Sequence, residues 1–185
     1  MSRNDDAKIL YQLPKEKIPD YIFMQLRNLW AVDGLYFVEI EQLYGTEVAT
    51  KIDAGVWVIM GKIEARKLKE FLGITGTDIP SMMKALQYTT WALDLEDKEI
   101  IIKKDSASIR NIRCRVQNTR KNKGLKEFGC KPVRFEFLKA FVKEFNPDIV
   151  VKCTICPPDV HPDNLWCQWD FTYKEKSIYE NIKRI

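Results

Sequence analysis

His161 is the only histidine in 185 residues, and that scarcity removes several chemistries at once. Carboxylate-bridged di-metal centres on helices draw on Glu-x-x-His pairs, and the helical stretches here carry no histidine. No uninterrupted apolar run approaches the roughly 18 residues of a membrane span. The N-terminus, MSRNDDAKIL, lacks the long apolar core of a signal peptide. No membrane contact is expected, and the cytoplasm is the expected compartment. The formal net charge is only +4, and no aromatic residue falls between Arg110 and Lys126, the densest basic stretch. A nucleic-acid surface would interleave cations with stacking aromatics, so no nucleic-acid partner is expected. Five cysteines are an odd count for a full disulfide framework and are read as reduced thiols.

What is present suits one globular domain over residues 1–185: 45% hydrophobic and 30% charged residues, with no internal repeat. Residues 1–15 are polar and read as loose at the start. A mainly helical half spans 16–94. Pro19 sits near the front of a helix that Gly45 stops, and its apolar residues, Leu26, Leu29, Trp30, Phe37, Val38 and Ile40, cover more than one face, which predicts burial on several sides. Thr46 is placed to cap a second helix over about 47–72, with Val48, Ala49, Ile52, Val56, Ile59, Met60 and Ile63 as its apolar face. Thr77 or Asp78 caps a third helix running through Met82, Leu86 and Trp91 to Leu93.

The second half, 98–174, reads as strand, strand, helix, strand, strand. EIIIKK is β-branched. SIRNIRCRVQ alternates, with Ile112, Cys114 and Val116 on one side and Arg113, Arg115 and Gln117 on the other. Pro132 opens a helix that Asn146-Pro147 closes, two strands follow over about 149–156 and 165–173, and KEKSIYENIKRI reads as a short surface helix. The fold class is α+β, with N-terminal helices packed on an antiparallel sheet.

The stretch CTICPPDVHPDNLWCQWDF concentrates the chemistry-bearing residues. Its spacing, C-x2-C-x4-H-x5-C, offers Cys153, Cys156, His161 and Cys167 as zinc ligands, since zinc takes thiolate and imidazole in a tetrahedron. Three prolines stiffen the loop, and strand alternation would bring Cys153 to Cys167 and leave Cys156 at the loop mouth. The competing reading makes these cysteines small core hydrophobes. A nucleophilic thiol is a further reading. Cys156 and His161 share the loop, and Cys130 precedes a helix start whose partial positive charge favours thiolate. Arg113, Arg115 and Arg120 are candidate anion contacts, because guanidinium grips carboxylate or phosphate in a planar fork. Asp53 lies on or beside the buried face of its helix, where it needs a partner or a raised pKa. Trp30, Trp57, Trp166 and Trp169 are candidate apolar walls.

LWAVDGLYFVEIEQLYGTEVATKID, GKIEARKLKEFLGI, CRVQNTRKNKGLKEFGCK and CPPDVHPDNLWCQWDF, in this order, resemble a family of small prokaryotic cytosolic proteins of unassigned activity. More distantly, helices followed by a sheet that ends in Cys167-Gln168-Trp169 resemble L-2-amino-thiazoline-4-carboxylate hydrolase-like proteins and 4-vinyl reductase type ligand-binding domains. That resemblance implies a small-molecule pocket between helices and sheet. The resulting expectation is a binding protein for a small, anionic molecule. A thiol- or metal-dependent hydrolase of an amide or thiazoline-like substrate, and a zinc-stabilised interaction module, are the alternatives. The helical faces also suit a homodimer.

Overall fold

The structure is a computed structural model that describes residues 3–174, with side chains from Ala7 onward. Helix α1 (Arg3–Tyr11) and a 3₁₀ turn (Lys15–Lys17) lead into two long helices, α2 (Ile18–Tyr44) and α3 (Thr46–Phe71). Two short helices follow, α4 (Ile79–Leu86) and α5 (Thr90–Asp94), then strands β1 (Asp97–Ile102) and β2 (Ser106–Arg113). Helices α6 (Arg115–Asn122) and α7 (Lys131–Lys143) precede β3 (Ile149–Ile155) and β4 (Cys167–Tyr173). The helix expected over the last residues lies outside the described part.

Gly45 makes the α2–α3 hairpin. Its φ of 86° is the left-handed region that suits glycine, and its N–H donates to the Glu41 carbonyl at 2.9 Å. Thr46 is therefore the first residue of α3 rather than its cap, and its hydroxyl bonds Glu41. Helix α3 is the central one. Ala49, Trp57, Gly61, Glu64 and Ala65 face inward, and α7 packs along it. A Cβ at Gly61 would come within 2.6 Å of the Phe137 carbonyl, so only glycine admits this approach. Trp30 of α2 stacks on Trp57 at 4.9 Å, and Trp57 meets Phe137 edge-on at 5.7 Å.

Two helical expectations are corrected. Helix α2 buries one stripe, Leu26, Trp30 and Phe37, and leaves much of its apolar surface exposed. The third helix breaks into two. Asp78 does cap α4, accepting from Ser81 N at 2.7 Å, but Thr89 caps a new start by accepting from Ala92 N at 3.2 Å. A hydroxyl two residues before Trp91 competes with the helix interior and restarts it.

The sheet has the order β1-β2-β4-β3, all antiparallel, with helices on one face and solvent on the other. Its inner face carries Ala107, Ile109 and Asn111 from β2, Cys167, Trp169 and Phe171 from β4, and Ile149 and Val151 from β3. The β2 alternation is thus opposite to the expected one, and Cys114 ends the strand and starts α6. Pairing decides it. Ala107 faces Phe171, Ile109 faces Trp169 and Asn111 faces Cys167, and one residue of slip would turn every side chain over. An irregularity in β3 corrects the second register expectation. Cys153 pairs with Trp169 but Ile155 with Gln168, so the extra residue turns Cys156 inward toward Cys167.

Candidate functional site

Helix α7 reads VRFEFLKAFVK, and Arg134, Phe137, Leu138 and Phe141 fall on one stripe at i, i+3, i+4 and i+7. A cation is therefore carried into the apolar layer between helices and sheet. The Arg134 guanidinium lies 4.7 Å from the Trp91 ring centre, 4.9 Å from Phe137 and 5.3 Å from Trp57. The side chain is buried, and Nη1 has no hydrogen-bond partner. Burial lowers its pKa from the ordinary value, though arginine retains its charge at neutral pH.

Three carboxyls from α2 and α3 surround this cation. Asp33 Oδ1 accepts from Trp57 Nε1 at 3.2 Å, and burial raises its pKa. Asp53 is pushed up to about 7, first by burial and then by the Asp33 charge, against the pull of Arg134 and Trp57. Glu64 is buried and likewise raised by burial. Its Oε1 accepts from Thr90 N at 2.9 Å, and its Oε2 has no partner.

The sheet side supplies thiols. Cys130, at the head of α7, lies 3.5 Å from Cys156 sulfur to sulfur, and Cys167 adjoins Cys156. The Cys156 pKa is pushed well above the ordinary range by bonding to Cys130 and Cys167 and by burial. The bond from Cys156 draws Cys167 downward. Burial pushes Cys114 up to about 12 and Cys153 to about 11. Gln117 ties this corner together, donating to the Phe128 carbonyl at 2.7 Å and accepting from Phe128 N at 2.9 Å.

Between these walls is a cavity of about 80 Å³, lined among others by Arg134, Asp53, Trp91, Asn111, Cys130 and Cys167. The buried Asn111 Oδ1, from a residue of this lining, likewise has no partner. The cavity adjoins a groove of about 380 Å³ between α2 and α6, and Trp30, Asp33, Asp53, Arg115, Val116 and Phe128 line both. The groove walls are apolar, with Leu35, Phe37, Val38 and Leu125, and its rim carries Arg120 and Lys123.

The structure thus gathers Asp53, Arg115, Cys130, Cys156 and Cys167 about one cavity, with Arg120 on the adjoining groove. Arg115 is held by Asp94 at 2.9 Å, and Arg120 by Glu41 at 3.3 Å above the Phe37 ring. Arg113 is exposed at the end of β2. Trp169 is a core residue stacked on Phe135. His161 packs on Trp166 and faces Glu127 Oε2 at 3.4 Å, while Cys156 faces thiols. The proposed zinc ligands Cys153, Cys156, His161 and Cys167 do not come together as a group of four. Among the described residues no three His, Cys, Asp or Glu side chains are arranged to hold a metal ion. The inward turn of Cys156 at the β3 irregularity takes it away from the loop that carries His161.

Arg134, Asn111 and Glu64 were not singled out in the sequence. Arg134 had a legible signal, a charge on the apolar stripe of a helix. Asn111 had none without the strand register.

The fold is similar to that of trafficking protein particle complex subunit 3 from Naegleria fowleri, whose crystal structure has covalently bound palmitic acid. The TM-score is 0.54 at 9% identity, covering 82% of this chain and 96% of that one, which is a likeness of fold. No curated protein matches the chain. Residues 11–173 match the Family of unknown function (DUF6125), and the chain belongs to that family.

Proposed function

We propose that this protein binds a small molecule with an anionic end, a carboxylate, and an apolar body. The carboxylate meets Arg134 in the cavity between helices and sheet, and the body lies along the groove between α2 and α6. The observation that carries this reading is the unpartnered Nη1 of a buried arginine beside a cavity that opens to the groove. A buried donor without an acceptor is costly, and a ligand acceptor relieves that cost. The inner cavity has room for a head group only. With the groove of about 380 Å³ the space reaches the range of ordinary ligand pockets, roughly 300–1,000 Å³.

The palmitic acid on the trafficking subunit belongs to that protein. It supports the reading only as an apolar chain held by a domain of similar shape. The distant resemblance to 4-vinyl reductase type domains points the same way. Hydrolysis at a cysteine is the weaker reading, because Cys156 is pushed up and His161 is turned toward Glu127.

Thermal unfolding with acetate, hexanoate and decanoate tests the proposal. The midpoint is expected to rise with chain length in the native protein and to stay unmoved in Arg134→Met. No rise with any acid, or an equal rise in Arg134→Met, would contradict it.

A further inference from the structure

We infer that α2 and α3 form the interface of a homodimer, two copies of the hairpin meeting across a two-fold axis. On α2, Ile22, Leu29, Val32, Tyr36 and Leu43 recur at steps of 7, 3, 4 and 7 and are 44–71% exposed. On α3, Val48, Ile52, Val56, Ile59 and Ile63 recur at steps of 4, 4, 3 and 4 and are 37–60% exposed. Steps of three and four keep a row of side chains on one helix face, and such rows are what one helix presents to another. The α3 row lies opposite the face that carries Trp57, Gly61 and Ala65, the face packed against α7. The α2 row flanks the buried stripe of Leu26, Trp30 and Phe37.

The size of the patch favours a stable partner. Taking roughly 200 Å² for each large side chain, half exposed, the ten residues offer on the order of 1,000 Å², against about 800 Å² per partner in a standard interface. Isolated proteins seldom leave so much contiguous apolar surface open. A second copy is the occupant the surface fits. Both rows are uncharged, so nothing in them selects a partner of opposite charge. Two antiparallel helices per copy close into a four-helix layer, and two-fold pairing of identical patches is the commonest closed assembly.

Sedimentation equilibrium of the full chain from 1 to 100 µM tests the inference. The native protein is expected at twice the chain mass, with an unfolding midpoint that climbs with concentration. Ile59→Asp is expected to weaken the dimer by roughly 100-fold while circular dichroism stays helical. Ile101→Asp, on the outer strand β1, is expected to leave the mass unchanged. If Ile59→Asp does not fold, the concentration dependence of the native midpoint decides alone. A native monomer at 100 µM with a flat midpoint would overturn the inference. So would a dimer that survives Ile59→Asp, or a monomer that floats with phosphatidylcholine vesicles, which would give the face to a membrane.

Discussion

Replacing Asp53 with asparagine is expected to remove part of an unusual pH dependence of stability. The Asp53 carboxyl is raised from 3.8 to about 7 in the folded protein, first by burial and then by the Asp33 charge. The folded state therefore binds the proton more tightly than the unfolded chain does. The slope of unfolding free energy with pH is proportional to protons bound unfolded minus protons bound folded, so it is negative here. Stability is full below about pH 4 for this group and is lost as pH rises to about 7, the reverse of ordinary acid denaturation. At 1.36 kcal/mol per unit, a shift of about three units corresponds to about 4 kcal/mol. Asp33, Glu64 and Asp94 are also raised by burial and add to the same trend. Urea unfolding followed by tryptophan fluorescence between pH 4.5 and 8.5 measures the slope, since Trp57 lies in the same cluster. The native protein is expected to lose stability across this range. Asp53→Asn should lose about 2–4 kcal/mol less between those limits. A flat native profile, or an unchanged slope in Asp53→Asn, would show that the Asp53 proton is not held more tightly in the folded state.

Other outcomes follow from the same geometry. Decanoate affinity is expected to fall as pH rises through 7, because ionised Asp53 opposes an anion beside Arg134, and Asp53→Asn should flatten that dependence in a calorimetric titration. Gly61→Val is expected to cost about 3 kcal/mol in chemical unfolding, since the new Cβ would strike the Phe137 carbonyl backbone. Iodoacetamide at pH 8, followed by peptide mass spectrometry, should modify Cys156 only after unfolding, because the thiol is buried and its pKa is pushed up.

Much of the architecture was legible in local signals. Pro19 and Gly45 bounded α2, Asp78 capped α4, Pro132 opened α7, and alternation marked β4. What could not be read locally was set by register. Whether Ile112 or Asn111 faces inward depends on which residue of β4 lies opposite, and the irregularity near Thr154 that turns Cys156 into the core leaves no mark in the spacing of cysteines. The site followed the same rule. Asp53 could be found, because a carboxylate on an apolar helix face needs an explanation. Arg134 carries the same kind of signal on α7, a single charge that stands out less than the denser basic run from Arg113 to Lys123. The exposed rows on α2 and α3 read as core for a physical reason, since periodicity reports which face must be covered and not what covers it.

Nitrogen-15 NMR of the arginine side chains and tryptophan indoles while decanoate is added tests directly whether Arg134 meets the carboxylate. The Arg134 resonance is expected to move at saturation, with Trp57 and Trp91 moving beside it and the exposed Arg113 unmoved. Shifts confined to surface arginines, with Arg134 still, would contradict that contact.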